Sequence, residues 1–246
     1  MFSPGLRYPA AMRVHLFVIG WEGKHDAVER IVSSASTADF RTVIYSNASG
    51  ERESGTGEWI AVPNTAFFGL KFARALECFH ADADVFLLVQ GDAVYEDWSA
   101  IVAQCRAAFT DDTVGVWAPH VDYSWWTNER VVMGQGSMGS VVAQTDGICF
   151  AFRRSTVKRL RRLDYAGNNL GWGVEWAAIA HAATEGRYAW RDQTLTVQHP
   201  QGSGYNHTEA RQQQAWFLER LTPQEIGIVH RLLSFVMRPQ KRKSPG

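Results

Sequence analysis

Three short stretches of this chain place carboxylates and an imidazole where metal-assisted group transfer would need them. Residues 85–92 read Val-Phe-Leu-Leu-Val-Gln-Gly-Asp, a continuous apolar run closed by Gly91 and then by a carboxylate. Such a run predicts a strand buried on both faces. A carboxylate at its carboxyl end faces the crevice in which open α/β sheets bind ligands. There Asp92 can hold a hard divalent cation, which in turn can hold phosphate oxygens. The second stretch, Gly171-Trp172-Gly173-Val174-Glu175, is a tight turn that delivers another carboxylate. In the third, His199 ends a short strand-like run ahead of Pro200 and a Gly-rich loop to Tyr205. Its neutral imidazole is a further candidate metal ligand. A mixed oxygen and nitrogen shell that includes phosphate suits manganese or magnesium.

The hydropathy pattern supplies the frame these residues need. Apolar runs at 13–19, 41–45, 59–62, 85–89, 114–118, 147–152 and 194–198 predict strands. Helical spacing predicts helices over 26–34, 67–79, 98–109, 155–163 and 174–185. Residues 51–58, 134–140 and 166–173 are rich in polar residues and Gly and read as loops. Strands alternating with helices predict an α/β domain, a mostly parallel central sheet with helices on both faces. At 246 residues the chain suits one large domain over 1–222, followed by a C-terminal helix and basic tail over 223–246. The apolar positions of that helix (Ile226, Ile228, Leu232, Leu233, Phe235, Val236) fit packing on the domain. With the basic end they also fit a peripheral membrane contact.

Twenty-five basic and twenty-five acidic residues cancel, which removes any global electrostatic case for a nucleic-acid partner. Cys78, Cys105 and Cys149 form no CxxC, so neither a disulfide framework nor a zinc site is expected. With no apolar signal-peptide core in the first dozen residues, and no apolar stretch near the ~18 residues of a membrane span, a cytoplasmic location is expected. Ten tryptophans point to a surface on which sugar or base faces stack.

In order and spacing these parts resemble the GT-A-type glycosyltransferases, the broad bacterial family of small inverting nucleotide-sugar transferases, over roughly residues 13 to 205. The parts are Ile19-Gly20-Trp21 after the first strand, Tyr45-Ser46-Asn47 after the second, and a helix carrying Asn64, Gly69, Lys71 and Arg74. They continue with Gln90-Gly91-Asp92 at the family's acidic motif, the Gly-Trp-Gly-x-Glu of 171–175, and His199 as the late metal ligand. The resemblance implies a single GT-A-like domain. It also implies sugar transfer from a nucleoside diphosphate sugar to a hydroxyl of a saccharide or lipid-linked acceptor, aided by Mn2+ or Mg2+. Two positions depart from the family pattern. Its acidic motif is usually Asp-x-Asp, where this chain has Gln90, and Trp176 follows Glu175 where the family often has Asp.

On that resemblance Asp92 and His199 are the metal ligands, and Glu175 is the general base that takes the acceptor's proton. Their plainer readings are a strand-end turn residue, an interior histidine and a favourable charge at a helix N-terminus. Trp21, Tyr45, Asn47, Arg74, Gln90 and Asp92 would bind the nucleotide, Tyr45 and Asn47 meeting the base. Lys71 and Arg74 share a helix face and could reach the diphosphate, Arg74 bidentately. Trp125, Trp126 and Trp172 would form the acceptor side. Two other functions stay open: a catalytically silent binding protein on the same fold, and a sugar nucleotidyltransferase. Gly20-Trp21-Glu22-Gly23-Lys24 is too short and acidic for the phosphate loop that the latter needs.

Overall fold

Val14–Gly20 is buried at every position and forms β1, a central strand of the sheet. The structure, a computed structural model, describes residues 12–48, 53–122, 129–200 and 206–238. Beside β1 lie β2 (Phe40–Tyr45), β3 (Glu58–Ala61) and β4 (Val85–Gln90), all parallel to it. The later strands are β5 (Val114–Val121), β6 (Val132–Gln135), β7 (Gly139–Val142), β8 (Cys149–Arg153) and β9 (Tyr188–Val197). Together they form one nine-stranded sheet in the order β3-β2-β1-β4-β8-β5-β9-β7-β6.

The period-2 alternation of β1 and β4 explains why helices cover both faces. Phe17, Ile19, Phe86 and Leu88 point into one core, shared with α2 (Phe68–Glu77), α4 (Arg154–Leu160) and α5 (Val174–Thr184). Leu16, Val18, Leu87 and Val89 point into the other, shared with α1 (His25–Ser34) and α3 (Trp98–Ala108). Two further helices, α6 (His207–Leu218) and α7 (Pro223–Val236), complete the first layer through Phe217, Ile228, Val229 and Val236.

The α/β class expected from the sequence holds, but the sheet is less parallel than expected. β8 runs antiparallel between β4 and β5, and β7 is antiparallel to both β6 and β9. The segment expected to be a loop, 134–140, is the turn of the β6–β7 hairpin. Residues 136–138 are too few for a parallel crossover, which takes about a dozen, so the two strands pair antiparallel. Because β8 opposes both its neighbours, β4 and β5 still point the same way, and β9 is parallel to β5. The carboxyl ends of β1, β2, β4, β5 and β9 therefore share one edge.

α7 starts on a capping box, with Thr222 and Glu225 satisfying each other's end of the helix and Pro223 in its first turn. Glu225 then pairs with Arg159 of α4 at 2.7 Å. The apolar face of the tail helix is spent on the domain. Its basic end, 239–246, lies outside the described residues, and among those described no helix is long and apolar enough to cross a membrane.

Candidate active site

Gly91 lets β4 end against β1. Its N–H donates to the Ile19 carbonyl at 2.9 Å. A Cβ there would sit 2.6 Å from Val28 Cγ2 and 2.8 Å from the Ile19 carbonyl oxygen, so only glycine fits. The turn delivers Asp92 to the shared edge. On the far side, Val94 and Gln198 exchange backbone hydrogen bonds at 2.8 and 2.9 Å, which fixes the end of β9 beside it. The His199 N–H donates to Asp122 Oδ1, after β5, at 2.9 Å. The result brings His199 Nε2 within 3.4 Å of Asp92 Oδ2, with the two side chains 12 % and 17 % exposed. The Asp92 hydrogen bond raises the His199 pKa, against the opposing pull of burial, and Asp146 and Asp122 add to the rise.

Gln90 takes a different part from the acid it replaces in the resembled motif. Its backbone N–H donates to the Ile148 carbonyl at 2.8 Å and its Nε2 to the Gly147 carbonyl at 3.1 Å. It thus ties the edge of β4 to the segment that leads into β8.

Glu175 sits in the first turn of α5, after Gly171 and Gly173 at φ 77° and 94°, left-handed conformations that favour glycine. The turn is docked on α2: Gly69 N–H donates to the Asn169 carbonyl at 2.8 Å, and a Cβ on Gly69 would collide with the Asn168 carbonyl. Gln144 Nε2 donates to Glu175 Oε1 at 3.0 Å. Burial pushes the Glu175 carboxyl up to about 7; its hydrogen bonds oppose the rise and nearby Asp146 adds to it.

The expected nucleotide side divides. Trp21, just past β1, lies under the Lys71 ammonium, whose Nζ is 3.5 Å from the indole centroid. Lys71 is wholly buried and donates to the Gly20 carbonyl at 2.7 Å, and burial lowers its pKa to about 7. Arg74 is exposed and paired with Glu77 at 2.8 Å. Three residues turn a helix by about 300°, so Arg74 sits about 60° round from Lys71, outside the buried face. Tyr45 is a core residue of β2. It is 2 % exposed, packs edge-on to Trp59, and its hydroxyl accepts from the Glu53 N–H at 2.7 Å. Its ring faces the core rather than a base, because it closes the apolar alternation of β2. Asn47, half-buried after β2, and Trp172, half-buried with its ring 5.7 Å from that of His207, remain at the edge. Trp125 and Trp126 lie outside the described residues.

Gln144, Thr145 and Asp146 went unremarked in the sequence, where a polar triplet before an apolar strand reads as loop. Asp146 acts electrostatically on both Glu175 and His199. The segment 143–148 therefore joins the two carboxylate centres.

Among the described residues no three His, Cys, Asp or Glu side chains are grouped to hold a metal ion. The pair present nevertheless fits one. Asp92 Oδ1 is buried with no hydrogen-bond partner, and His199 supplies a nitrogen beside it. Two protein ligands suit a cation that takes its other ligands from phosphate and water.

No protein-family model and no curated protein matches the chain. Solved structures do share its fold, that of the GT-A-type glycosyltransferases. One is a mannosyltransferase from Pyrobaculum calidifontis in complex with GDP-Man and Mn2+, at 14 % identity and TM-score 0.59 over 92 % of this chain and 71 % of that one. A second is glucosyl-3-phosphoglycerate synthase from Mycobacterium tuberculosis with Mn2+, UDP-glucose and phosphoglyceric acid, at 15 % and 0.55 over 93 % and 81 %. A third is GalNAc-T7 with UDP, GalNAc and Mn2+, at 13 % and 0.58 over 86 % of this chain and 48 % of that one.

Proposed function

We propose that this protein transfers a sugar from a nucleoside diphosphate sugar to the hydroxyl of a saccharide or lipid-linked acceptor. The observation that carries the reading is the pairing of Asp92 with His199 at the carboxyl end of β4, on the same sheet edge as the half-buried Glu175. The GT-A fold of transferases crystallised with Mn2+ and nucleotide sugars supports it.

Asp92 Oδ1 and His199 Nε2 would hold Mn2+ or Mg2+, which when bound offsets negative charge on the departing diphosphate. Trp21 and Asn47 flank the nucleotide, and Lys71 adds a buried positive charge behind Trp21. Glu175 takes the proton from the acceptor hydroxyl as that oxygen bonds to the anomeric carbon and the bond from that carbon to the diphosphate oxygen breaks. Gln144 keeps the Glu175 carboxylate turned toward the segment 143–148. Trp172 lies on the acceptor side. One displacement with Glu175 as base inverts the anomeric centre.

A catalytically silent binding protein is the second reading, favoured by Gln90 at the first position of the acidic motif and by its use as a structural tie. Slow donor hydrolysis separates the two. Release of nucleoside diphosphate from a nucleotide sugar in the presence of Mn2+, lost in Glu175→Gln, supports the enzyme. Tight donor binding with no release over long incubation, with or without acceptor saccharides, supports the silent protein.

A further inference from the structure

The segment between β7 and β8 holds polar atoms that neither the fold nor the chemistry above accounts for. Gln144 and Thr145 are each 2 % exposed. Gln144 Oε1 and Thr145 Oγ1 are buried and make no hydrogen bond, although buried polar groups in folded proteins nearly always do. Both ends of the segment are fixed by the site. Gln144 Nε2 donates to Glu175 Oε1 at 3.0 Å, and Gln90 donates to the carbonyls of Ile148 and Gly147 at 2.8 and 3.1 Å. The two orphan oxygens therefore belong to a segment tied at one end to Glu175 and at the other to the strand end that presents Asp92.

On the glycosyl-transfer reading the sugar in transit lies between the metal pair and Glu175. Its anomeric carbon is bonded to the diphosphate on one side and meets the acceptor oxygen on the other. A pyranose offers hydroxyl groups, which donate hydrogen bonds. The Gln144 amide nitrogen is already committed to Glu175, so the group it leaves for a ligand is an acceptor. Thr145 can accept or donate.

We propose that Gln144 and Thr145 form the subsite that reads the hydroxyls of the transferred sugar, an inference that rests on the glycosyl-transfer reading above. They are specificity residues for a fully hydroxylated hexose. A donor lacking a hydroxyl opposite either atom leaves that atom unpaired and binds less well.

The test is calorimetric titration of wild type, Thr145→Val and Gln144→Met, with Mn2+ present. The probes are ADP, CDP, GDP, UDP and TDP, each bare and as its glucose conjugate. The expected result is wild-type affinity of both variants for the bare diphosphate, with about tenfold loss for the sugar conjugate. Thr145→Val should also unfold, without ligand, at a Tm no lower than wild type, since it removes an unpaired buried hydroxyl. An unchanged preference for the conjugate in Thr145→Val assigns the orphan atoms to buried water and overturns the proposal. A wild type that binds none of the probes overturns the glycosyl-transfer reading itself, and the subsite with it.

Discussion

Burial raises the Glu175 carboxyl to about 7, which leaves it close to half ionised near neutral pH and able to take a proton. Turnover should therefore rise as pH climbs through about 7 and level off above it. Glu175→Gln should remove that rise and lower kcat by about 10²–10⁴ while nucleotide affinity stays as in wild type. A wild-type profile that is flat between pH 5.5 and 8.5, measured under saturating donor, would remove Glu175 from the base role. The same shift has a cost in stability. The folded form binds the proton more tightly than a free glutamate of pKa 4.5, so this group's contribution is full below about 4.5 and lost as pH rises through about 7. Lys71 shows the opposite sign. Its folded pKa is lowered from 10.5 to about 7, so its contribution is present above 10.5 and lost as pH falls through about 7. Among the described residues its ammonium meets a carbonyl and an indole but no carboxylate. Lys71→Met should accordingly leave the free protein as stable or more so, with the gain largest below pH 7. A lower urea midpoint at pH 6 would show that the ammonium has a partner beyond these two.

At the scale of elements, the site depends on how closely α2 meets the Gly-Trp-Gly turn. Gly69→Ala forces a methyl group into the Asn168 carbonyl and should separate the two. The expected outcome is a loss of about 1–3 kcal/mol in stability by urea unfolding, together with a fall in kcat as Glu175 shifts. Wild-type stability and turnover in that variant would show that the helix and turn can part without consequence. The elements themselves were unequally legible. β1, β4 and β5 read directly because doubly covered strands are near-continuous apolar runs. The β6–β7 hairpin did not, because Gly134-Gln135-Gly136-Ser137-Met138-Gly139 has loop composition and its strands are held by backbone pairing, β7 with β9 and β6 with β7. α6 was missed because it buries only Ala210 and Phe217, too few positions to make a stripe. Of the candidate site, the positions of Asp92, Glu175 and His199 at strand ends and at the start of a helix could be read from the sequence. The burial of Tyr45 and the exposure of Arg74 could not be read, since sequence spacing gives a face but not whether that face is the buried one. Gln144 and Thr145 carried no signal at all, because their importance comes from a chain crossing that only the strand order reveals.

The molecule as a whole is closed by α7, and the closure hangs on a buried carboxylate. Burial alone would push Glu225 upward, but hydrogen bonds from His181, Arg159 and Thr222 outweigh it and hold the carboxyl well below its usual 4.5. The stabilisation is present above that value and lost as pH falls below it. Glu225→Gln should cost about 3–5 kcal/mol, because it leaves Arg159 without its charge partner in a mostly buried setting. Denaturant midpoints at pH 7 should show that loss, and the difference from wild type should shrink as pH drops below about 4. An equal deficit at both pH values would place the damage in packing rather than in charge.

The central claim is that the edge formed by Asp92 and His199 binds a nucleoside diphosphate through a divalent cation. Thermal unfolding with a panel of nucleoside diphosphates, each with and without Mn2+, on wild type and Asp92→Ala, tests it most directly. A ligand that binds the native state raises Tm by mass action. A Mn2+-dependent rise is expected for one nucleotide in wild type and should disappear in Asp92→Ala. No rise for any nucleotide in the folded wild type, or an equal rise in Asp92→Ala, would contradict it.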